Sequence, residues 1–402
     1  MGIVLTKGQD KAIKKAKKWY LTSSEQVFKI QGYGGTGKTT IVFALINELN
    51  IPLEDVLFVT YVGKATIPLR QNGLLARTVH ATCYERKSNF VLDEFGKPIV
   101  APNGRFEKKS EFVLKDKLPS NIKLIVIDEA PMNPKKMTDD LKSFGVKIMG
   151  LGDPGQLPPI FGKSDILDNP DVILTEVMRQ KKGDPIVFLS MLAREGKEIP
   201  FGKFGDRCFV IDDRILQHKE IYLRPDMILC GKNKTREKIN RIIRHDIKHI
   251  DSEFPVFGDK LVCRKNNWDL TINDNISLIN GLFGYVTNIN MESFNGKTLN
   301  IDFMPECTPG ICFEDISLDY KYLNEPIGEK TTPSMYSPGN VFEYGNASTV
   351  HLAQGSQYGY ILGLVETMGN EEFQRKFLYT MITRAIHTLV LVKKPIPVRQ
   401  FF

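Results

Sequence analysis

The chain has 402 residues, and its 54 lysines and arginines against 47 aspartates and glutamates give a formal net charge of +7. Its 42% hydrophobic and 25% charged residues are an ordinary globular composition. This excludes disordered, collagen-like and low-complexity proteins, and the length favours two or three domains. No apolar run approaches the roughly 18 residues of a membrane span, and residues 1–18 do not form a secretory signal. We therefore expect neither a membrane protein nor a secreted one.

The six cysteines occur without a Cys-x-x-Cys unit or a neighbouring histidine cluster. This usage predicts free thiols in a reducing compartment and no structural metal site. The positive charge is concentrated in residues 1–20 and 232–250. Each segment could bind phosphates, and each also fits a solvated helix face, so both interpretations stay open.

Hydrophobic periodicity predicts strand–helix alternation at both ends of the chain. In the first part, an apolar strand at 27–30 leads through a Gly-rich turn into a helix at 38–49. Further apolar runs suit parallel strands buried on both faces, at 55–61, 122–127 and 146–151. In the last part, the same pattern predicts strands at 227–230, 360–364 and 388–392 and helices at 235–249 and 371–385. The sequence therefore predicts an α/β protein with two units.

Two segments of different character interrupt these units. Residues 86–118 are polar and alternating, which predicts a β-hairpin inserted in the first unit. Residues 251–343 are rich in Gly, Asn and Pro, and their short apolar runs predict a small β-barrel inserted in the second unit. These runs lie at 260–263, 276–279 and 284–289. For Trp268, packing in the core of this insertion is the expected role.

The turn after the first strand matches the P-loop pattern G-x-x-x-x-G-K-[ST]. It reads Gly32-Tyr33-Gly34-Gly35-Thr36-Gly37-Lys38-Thr39, followed by Thr40. Such glycines let backbone N–H groups curl around phosphate oxygens at a helix N-terminus. We expect residues 32–40 to bind ATP, with Lys38 at the β- and γ-phosphates and the Thr39 hydroxyl on Mg²⁺. A chance Gly-rich turn is the alternative, and the flanking strand and helix count against it.

A second motif, with two acidic residues, follows the predicted strand at 122–127. Asp128, at the end of that strand, is expected to hold Mg²⁺ through water. Glu129 is then suited to orient or deprotonate the attacking water. An isolated Asp-Glu pair is usually a solvated strand end, but together with a P-loop it indicates nucleotide hydrolysis.

The run Gly150-Leu151-Gly152-Asp153-Pro154-Gly155-Gln156-Leu157-Pro158-Pro159 follows the next strand, and here the sequence resembles superfamily 1 helicases. It is most similar to the 5′→3′ class that contains RecD and the Dda helicase of T-even phages. Matching motifs occur in order over nearly the whole chain. The resemblance implies two RecA-like domains with parallel sheets, the first at 1–175 and the second at 176–250 and 344–402. It also implies a pin hairpin at 86–118 that splits duplex, and an SH3-like β-barrel inserted at 251–343.

The resemblance assigns further residues to the nucleotide. Gln9 resembles the adenine-reading glutamine, and Gln156 the residue that senses the γ-phosphate. Arg179, in the run 174–180, and Arg384, in the run 379–385, resemble the two arginines that contact the phosphoryl group from the second domain. Such arginines contribute roughly 10³–10⁵ in rate in related enzymes. A surface polar role for Gln9 and surface ion pairs for the arginines are the alternatives.

The resemblance also implies DNA-contacting residues in both domains. They are Thr60, Lys64, Thr78, His80, Thr349, His351 and Gln354. In the hairpin, Phe90, Phe95 and Phe106 are candidates for a base-contacting tip, and hydrophobic anchoring of the hairpin is the alternative. The sequence departs from the family at two positions beside these residues. Leu352 stands where a basic residue is common, and Gln357 where an acid is common.

These motifs together predict an ATP-dependent DNA helicase that uses Mg²⁺, translocates 5′→3′ on single-stranded DNA and unwinds duplex. The direction follows from the resemblance alone. We expect a monomer in the cytoplasm of a bacterial or phage-infected cell, acting in replication or recombination on single strands and duplex junctions, with replication or single-strand-binding proteins as partners. One alternative is a DNA-dependent ATPase that displaces proteins without unwinding. Another is a nucleotide-gated binding module, which the presence of Glu129, Arg179 and Arg384 disfavours.

Overall fold

The computed structural model describes residues 5–90, 97–98, 108–158, 164–176, 183–272, 276–324 and 337–394. Two six-stranded sheets with flanking helices form most of this structure, and a five-stranded antiparallel sheet is inserted within the second unit. The predicted α/β class is therefore confirmed. The six cysteines are free thiols, as predicted.

The first part of the chain alternates strands and helices. Its strands are β1 (Val27–Gly32), β2 (Val56–Thr60), β3 (Ala76–Thr78), β4 (Tyr84–Phe90), β5 (Lys108–Leu114), β6 (Leu124–Ile127), β7 (Lys147–Gly152) and β8 (Val172–Leu174). Its helices are α1 (Lys7–Thr22), α2 (Lys38–Glu48), α3 (Thr66–Gln71), α4 (Val79–Cys83) and α5 (Lys135–Lys142). Six of the strands form one parallel sheet in the order β3-β2-β6-β7-β1-β8.

Apolar sequence explains why this sheet is covered on both faces. Every residue of β2 and β6 is buried, and all are apolar except Thr60. Helices α1 and α2 pack on one face, and α4 and α5 pack on the other. Parallel strands with near-continuous hydrophobic sequence require cover of this kind.

The predicted hairpin in this part of the chain is present. Strands β4 and β5 pair antiparallel, from Tyr84 opposite Leu114 to Phe90 opposite Lys108. Phe95 and Phe106, two of its predicted base-contacting residues, lie outside the described residues. Phe90 is the last residue of β4, and its side chain also lies outside the described part of the chain.

The second part of the chain contains the remaining elements. Its strands are β9 (Gly202–Phe204), β10 (Cys208–Asp212), β11 (Met227–Cys230), β12 (Lys260–Cys263), β13 (Asn267–Ile272), β14 (Ile276–Leu278), β15 (Phe283–Asn290), β16 (Thr298–Pro305), β17 (Phe313–Asp319), β18 (Phe342–Tyr344), β19 (Ala347–Thr349), β20 (Tyr358–Leu364) and β21 (Ala385–Lys393). Its helices are α6 (Pro185–Glu195), α7 (Asn233–Arg241), α8 (Tyr320–Leu323) and α9 (Glu371–Ile382).

The second six-stranded sheet has the order β19-β11-β20-β21-β10-β9, with only the edge strand β9 antiparallel to its neighbour. The helix predicted at 235–249 begins earlier as α7 and continues as a π-helix at Ile242–Ile247. The helix predicted at 371–385 is too long, because α9 ends at Ile382 and Ala385 already opens β21.

The inserted strands form an antiparallel sheet in the order β17-β16-β15-β12-β18, beside a two-stranded β13–β14 ribbon. Its core contains fully buried Phe303 and Phe342. Closure of this sheet as an SH3-like barrel stays a prediction. The expected core position of Trp268 is wrong, because its side chain lies on β13 and is 39% exposed.

The topology brings the predicted motifs to one edge of the first sheet. Parallel strands β1, β6 and β7 end at the same side, where ligands bind in open α/β sheets. Among the helices within the described ranges, none combines the length and the apolar character that crossing a bilayer requires.

Candidate functional site

The P-loop follows β1 and ends in the first turn of α2. Lys38 Nζ donates to the carbonyl oxygens of Gly32 at 2.6 Å and of Tyr33 at 3.3 Å. The Thr36 hydroxyl donates to the same Tyr33 oxygen at 2.8 Å. The loop therefore curls around the Lys38 ammonium, which is where a P-loop needs a cation to meet phosphate.

Gln9, in the first turn of α1, stabilises this loop by a hydrogen bond. Its amide oxygen accepts from the Thr6 backbone N–H at 3.0 Å in a capping box at the start of α1, and its amide nitrogen donates to the Thr36 carbonyl at 3.1 Å. Gly37 at the N-cap of α2 has a φ of 81°, and a side chain there would collide with Gln9. Only glycine fits that position without strain. Gln9 is buried rather than a surface residue, and adenine reading stays a prediction for it.

Asp128 and Glu129 directly follow β6. Glu129 has a φ of 51°, a left-handed conformation that is costly for a residue with a side chain, and its N–H donates to Asp128 Oδ1 at 2.9 Å. This short turn aims both carboxyl groups at the edge of the sheet. Such strain is typical of functional positions.

Burial and the charge of Glu129 raise the pKa of Asp128 to about 6, and the nearby Lys38 ammonium offsets this only in part. The two carboxyl groups therefore form a site with excess negative charge. Thr39 is exposed in the first turn of α2 on the same edge of the sheet. One or two carboxylates with a hydroxyl and phosphate oxygens are the donor set that Mg²⁺ uses, so these residues fit that ion. In the portion of the chain with described coordinates, no group of three or more His, Cys, Asp or Glu side chains forms a metal cluster.

The segment after β7 joins the two domains. Asp153 is buried and accepts from the Gly155 N–H at 2.9 Å and from the Tyr379 hydroxyl of α9 at 2.7 Å. The same hydroxyl accepts from the P-loop Gly34 N–H at 3.0 Å. Burial raises the pKa of Asp153, while the Lys38 charge and the Tyr379 hydrogen bond oppose this.

Leu157 anchors the end of that segment in the second domain. Its N–H donates to the Thr380 hydroxyl at 2.9 Å, and its carbonyl accepts from the Gln354 amide at 3.0 Å. The fully buried Leu157 side chain belongs to the core of the second domain. The roles of Asp153, Leu157, Tyr379 and Thr380 were not predicted, although all four lie in the sequence runs that carried the resemblance.

Gln156 connects catalytic candidates of the two domains. With its amide oriented so that both ends find partners, its nitrogen donates to Glu129 Oε2 at 3.2 Å. Its oxygen then accepts from Arg384 Nη2 at 3.3 Å. Arg384 is buried and also donates to the carbonyls of Thr380 and Ser356, each at 3.3 Å. The structure thus brings Glu129, Gln156 and Arg384 together. Arg179 lies outside the described residues.

The predicted DNA-contacting residues fall into two groups. Thr60, Thr78 and Gln354 are buried, and their side chains bond within the protein. His80 is exposed, with its ring 5.6 Å from that of Tyr84 at the base of the hairpin. Thr349 and His351 are partly exposed. The assignment of all these residues to DNA stays a prediction.

Lys64, another predicted DNA-contacting residue, contacts both the second domain and the insertion. It is buried, its ammonium donates to the Leu352 carbonyl of the second domain, and it lies 5.7 Å from the Phe283 ring centroid of the insertion. Leu352 is the position where a basic residue is common in the resembled family. The Lys64 side chain therefore brings a basic nitrogen to this turn from the first domain.

The fold and site can be compared with known proteins. The AAA domain family matches residues 4–210, and the UvrD-like helicase C-terminal domain matches residues 344–392. Among curated proteins, none matches this sequence.

Three solved structures illustrate the structural likeness. One is a structure on DNA unwinding at forked double-stranded DNA by two coordinating Pif1 helicases. It is 16% identical to this chain and has a TM-score of 0.55, and the match covers 97% of this chain and 92% of that one. The Bacteroides Pif1 helicase in complex with ADP-AlF3 and single-stranded DNA has 17% identity, 97% and 92% coverage, and a TM-score of 0.53. The Candida albicans Pif1 helicase has 15% identity, 98% and 95% coverage, and a TM-score of 0.53. At these identities the likeness establishes the fold, two RecA-like domains, over nearly the whole chain.

Proposed function

The chain belongs to the AAA domain family, which matches it over residues 4–210, and we propose that it is an ATP-dependent DNA helicase of superfamily 1. We further propose that it translocates 5′→3′ on single-stranded DNA and unwinds duplex. The direction rests on the resemblance to the RecD- and Dda-type class. We expect the working unit to be a monomer that acts at single strands and duplex junctions.

The observation that carries this proposal is the contact of Gln156 with both Glu129 and Arg384. Hydrolysis of a nucleoside triphosphate needs a base for water and a cation for the charge that develops on the phosphoryl group. Here the base and the cation come from different domains, and a single amide touches both. Hydrolysis at such a site depends on closure of the cleft between the domains.

Each residue then has a defined task. Lys38 leaves its loop carbonyls for the β- and γ-phosphates, and backbone N–H groups of the P-loop at the start of α2 surround those phosphates. Glu129 orients the attacking water and accepts its proton. Arg384 stabilises the charge of the transferred phosphoryl group. Bound Mg²⁺, held by Thr39 and Asp128, would supply Lewis-acid neutralisation of the phosphate oxygens.

Translocation follows from coupling this site to the strand. ATP binding would close the cleft, and hydrolysis would open it again. The Gln354 amide, bonded to Leu157 beside Gln156, links the predicted DNA-contacting turn at 349–354 to the nucleotide. Each closing and opening of the cleft would then move the DNA-contacting residues of one domain relative to those of the other, which advances the protein along the DNA strand.

A tailed-duplex assay tests the proposed function. With ATP and Mg²⁺, we expect the protein to separate a duplex with a 5′ single-stranded tail and not one with a 3′ tail. Separation of the 3′-tailed substrate alone would contradict the direction. ATP hydrolysis that single strands stimulate, without separation of either substrate, would favour a translocase that displaces proteins.

Replacement of Lys38 tests the site assignment. Lys38→Ala removes the cation that meets the phosphates, so we expect ATP turnover to fall by about 10³-fold or more. Salt-sensitive binding of single-stranded DNA should remain, because it depends on phosphate contacts elsewhere. Unchanged turnover in this variant would exclude the P-loop as the hydrolytic site.

A further inference from the structure

A side chain of the second domain holds the P-loop through an aromatic ring. The guanidinium carbon of Arg194 lies 3.9 Å from the centroid of the Tyr33 ring. We propose that Arg194 is a positioning residue of the ATPase, which stabilises the closed cleft by stacking on Tyr33. This inference rests on the proposed function, and it gives a role to Arg194, which the resemblance leaves without one.

Arg194 is presented by a rigid element. It lies in the last turn of α6, whose start is capped by the Asp184 side chain and whose end is closed by Gly196 with a φ of 68°. Leu189 and Ala193 of the same helix are buried in the core of the second domain. The Arg194 side chain is 25% exposed, and its ion pair with the adjacent Glu195 is loose at 3.7 Å. The contact with the Tyr33 ring joins Arg194 to the first domain.

Tyr33 is the residue through which such a contact would reach the phosphates. Its carbonyl accepts both the Thr36 hydroxyl and the Lys38 ammonium. Holding the ring thus fixes the first half of the loop, including the oxygen that binds the catalytic lysine. The ring also lies edge-on to that of Tyr379, with centroids 6.4 Å apart. The second domain therefore holds this half of the loop at Tyr33 and, through the Tyr379 hydroxyl, at Gly34.

The pair lies across the cleft between the domains. It borders a cavity of about 190 Å³ that is also lined by Pro154 and Gly155 of the first domain and by Arg375 and Lys376 of the second. Because its members come from opposite domains, the stack requires the domains to be as close as they are in this structure, and opening of the cleft would break it. Its loss should lower the closed population, and apparent nucleotide affinity falls by the same factor.

A stacked cation on an aromatic ring that is partly shielded from water corresponds to about a threefold to thirtyfold effect on an equilibrium. We therefore expect Arg194→Ala to raise the KM for ATP by that factor in single-strand-stimulated hydrolysis. The kcat at saturating ATP should stay within about threefold, because excess ATP restores closure. This separation of KM from kcat is not expected from damage to the fold.

A double-mutant cycle tests the pair directly. Tyr33→Leu keeps an apolar side chain but removes the π face, and we expect it to raise KM as Arg194→Ala does. The double variant should be no worse than the worse single variant. Arg375→Ala is the matched control, because it removes one positive charge from the same cavity and should change KM less than twofold. Arg194→Lys should lie between wild type and Arg194→Ala, since a lysine keeps the charge but stacks less well.

Equilibrium binding of a non-hydrolysable ATP analogue with Mg²⁺ separates this inference from the proposed function. If wild type binds the analogue but does not hydrolyse ATP, the proposed function fails, and the same cycle in the dissociation constant still tests the pair. Additive effects of the two variants, an equal effect of Arg375→Ala, or a loss confined to kcat would each overturn the role of Arg194. No binding of the analogue by the wild type would overturn both proposals.

Discussion

Two contacts of the first domain with the rest of the chain differ in chemistry. The nucleotide-side contact includes residues 153–157 against Gln354, Tyr379, Thr380 and Arg384, which directional hydrogen bonds join. The insert-side contact consists of residues 63–71 against residues 279–283, Cys307 and Leu352, and apolar packing dominates it. Ile67 lies in the core of the insertion, Gly63 packs on Ile279, and Gln71 adds one hydrogen bond to the Cys307 carbonyl at 2.9 Å.

This difference in chemistry indicates that the two contacts have different roles. Hydrogen bonds to Glu129 and Arg384 depend on angle and distance, so a change in the phosphoryl group can break them. Apolar packing is non-directional and tolerates small rotations, so the insert-side contact can persist while the cleft changes. We infer that the nucleotide-side contact controls turnover and that the insert-side contact controls stability.

Arg384 should give the largest effect on turnover. Arg384→Ala removes the cation that the second domain supplies to the phosphoryl group, and we expect kcat for single-strand-stimulated hydrolysis to fall by about 10³-fold or more. Steady-state ATPase rates measure this loss. Arg214→Ala is a suitable control, because Arg214 is exposed and forms an ion pair with nearby Asp212. A loss of less than about tenfold would contradict the catalytic role of the nucleotide-side contact.

Ile67 should affect stability instead. It is 4% exposed and packs into the insertion, so Ile67→Ala should cost about 2–4 kcal/mol of stability. We expect a lower thermal unfolding midpoint by calorimetry, with kcat within about threefold of wild type. Ile173→Ala, at an exposed isoleucine of β8, should change the midpoint little. A large fall in kcat at unchanged midpoint would remove the proposed division between the contacts.

Gln156 should give a smaller effect on turnover than Arg384. Gln156→Ala removes hydrogen bonds to two ionised groups, which corresponds to a loss of about 10–10²-fold in kcat. Because Gln156 acts through Glu129 and Arg384, the Gln156→Ala and Arg384→Ala double variant should be little slower than Arg384→Ala. Single-turnover rates of the three variants measure this coupling. Independent, multiplicative losses would mean that Gln156 does not connect the two groups.

Sequence predicted the parts of the molecule that local rules determine. The strand, Gly-rich turn and helix at 27–49 form a contiguous motif, and their residues alone specify a phosphate loop. Asp128 at the end of β6 could be placed beside it, since parallel strands end at one edge of a sheet. The buried strands near the centre of each sheet were predictable because their apolar runs are continuous.

The remaining features depend on contacts between residues far apart in the chain. The Tyr379 hydroxyl meets Asp153 across 226 positions, and no periodicity signals such a pair. The basic segment 232–250 is exposed at Lys232, Lys234, Lys238, Arg241 and Lys248, which fits a solvated helix face. Composition did not indicate that Arg236 and Arg244 are buried in ion pairs with Glu343 and Asp259. The insert-side contact was not predicted either, because an apolar residue such as Ile67 looks the same in sequence whether it packs in its own domain or in another.

Lys64 gives the insert-side contact a pH dependence of its own. Burial lowers the pKa of its ammonium from 10.5 to about 7, and the charges of Arg384 and Arg264 add to this against the opposing Glu306. Between about pH 7 and 10, the unfolded chain therefore carries a proton at Lys64 that the folded chain has released. Unfolding takes up this proton, so stability from this group rises with pH in that window, by at most about 1.4 kcal/mol per pH unit.

Lys64→Met keeps the buried stem and removes the titrating group, so we expect its stability to rise less steeply with pH than that of wild type. Denaturant unfolding at a series of pH values from 6.5 to 10 measures the difference, and Lys18→Met, at an exposed lysine of α1, should follow wild type. Parallel curves for Lys64→Met and wild type would mean that the Lys64 ammonium is hydrated in solution. The insert-side contact would then be open there, and the first domain would be held to the rest of the chain mainly by the groups that act on the nucleotide.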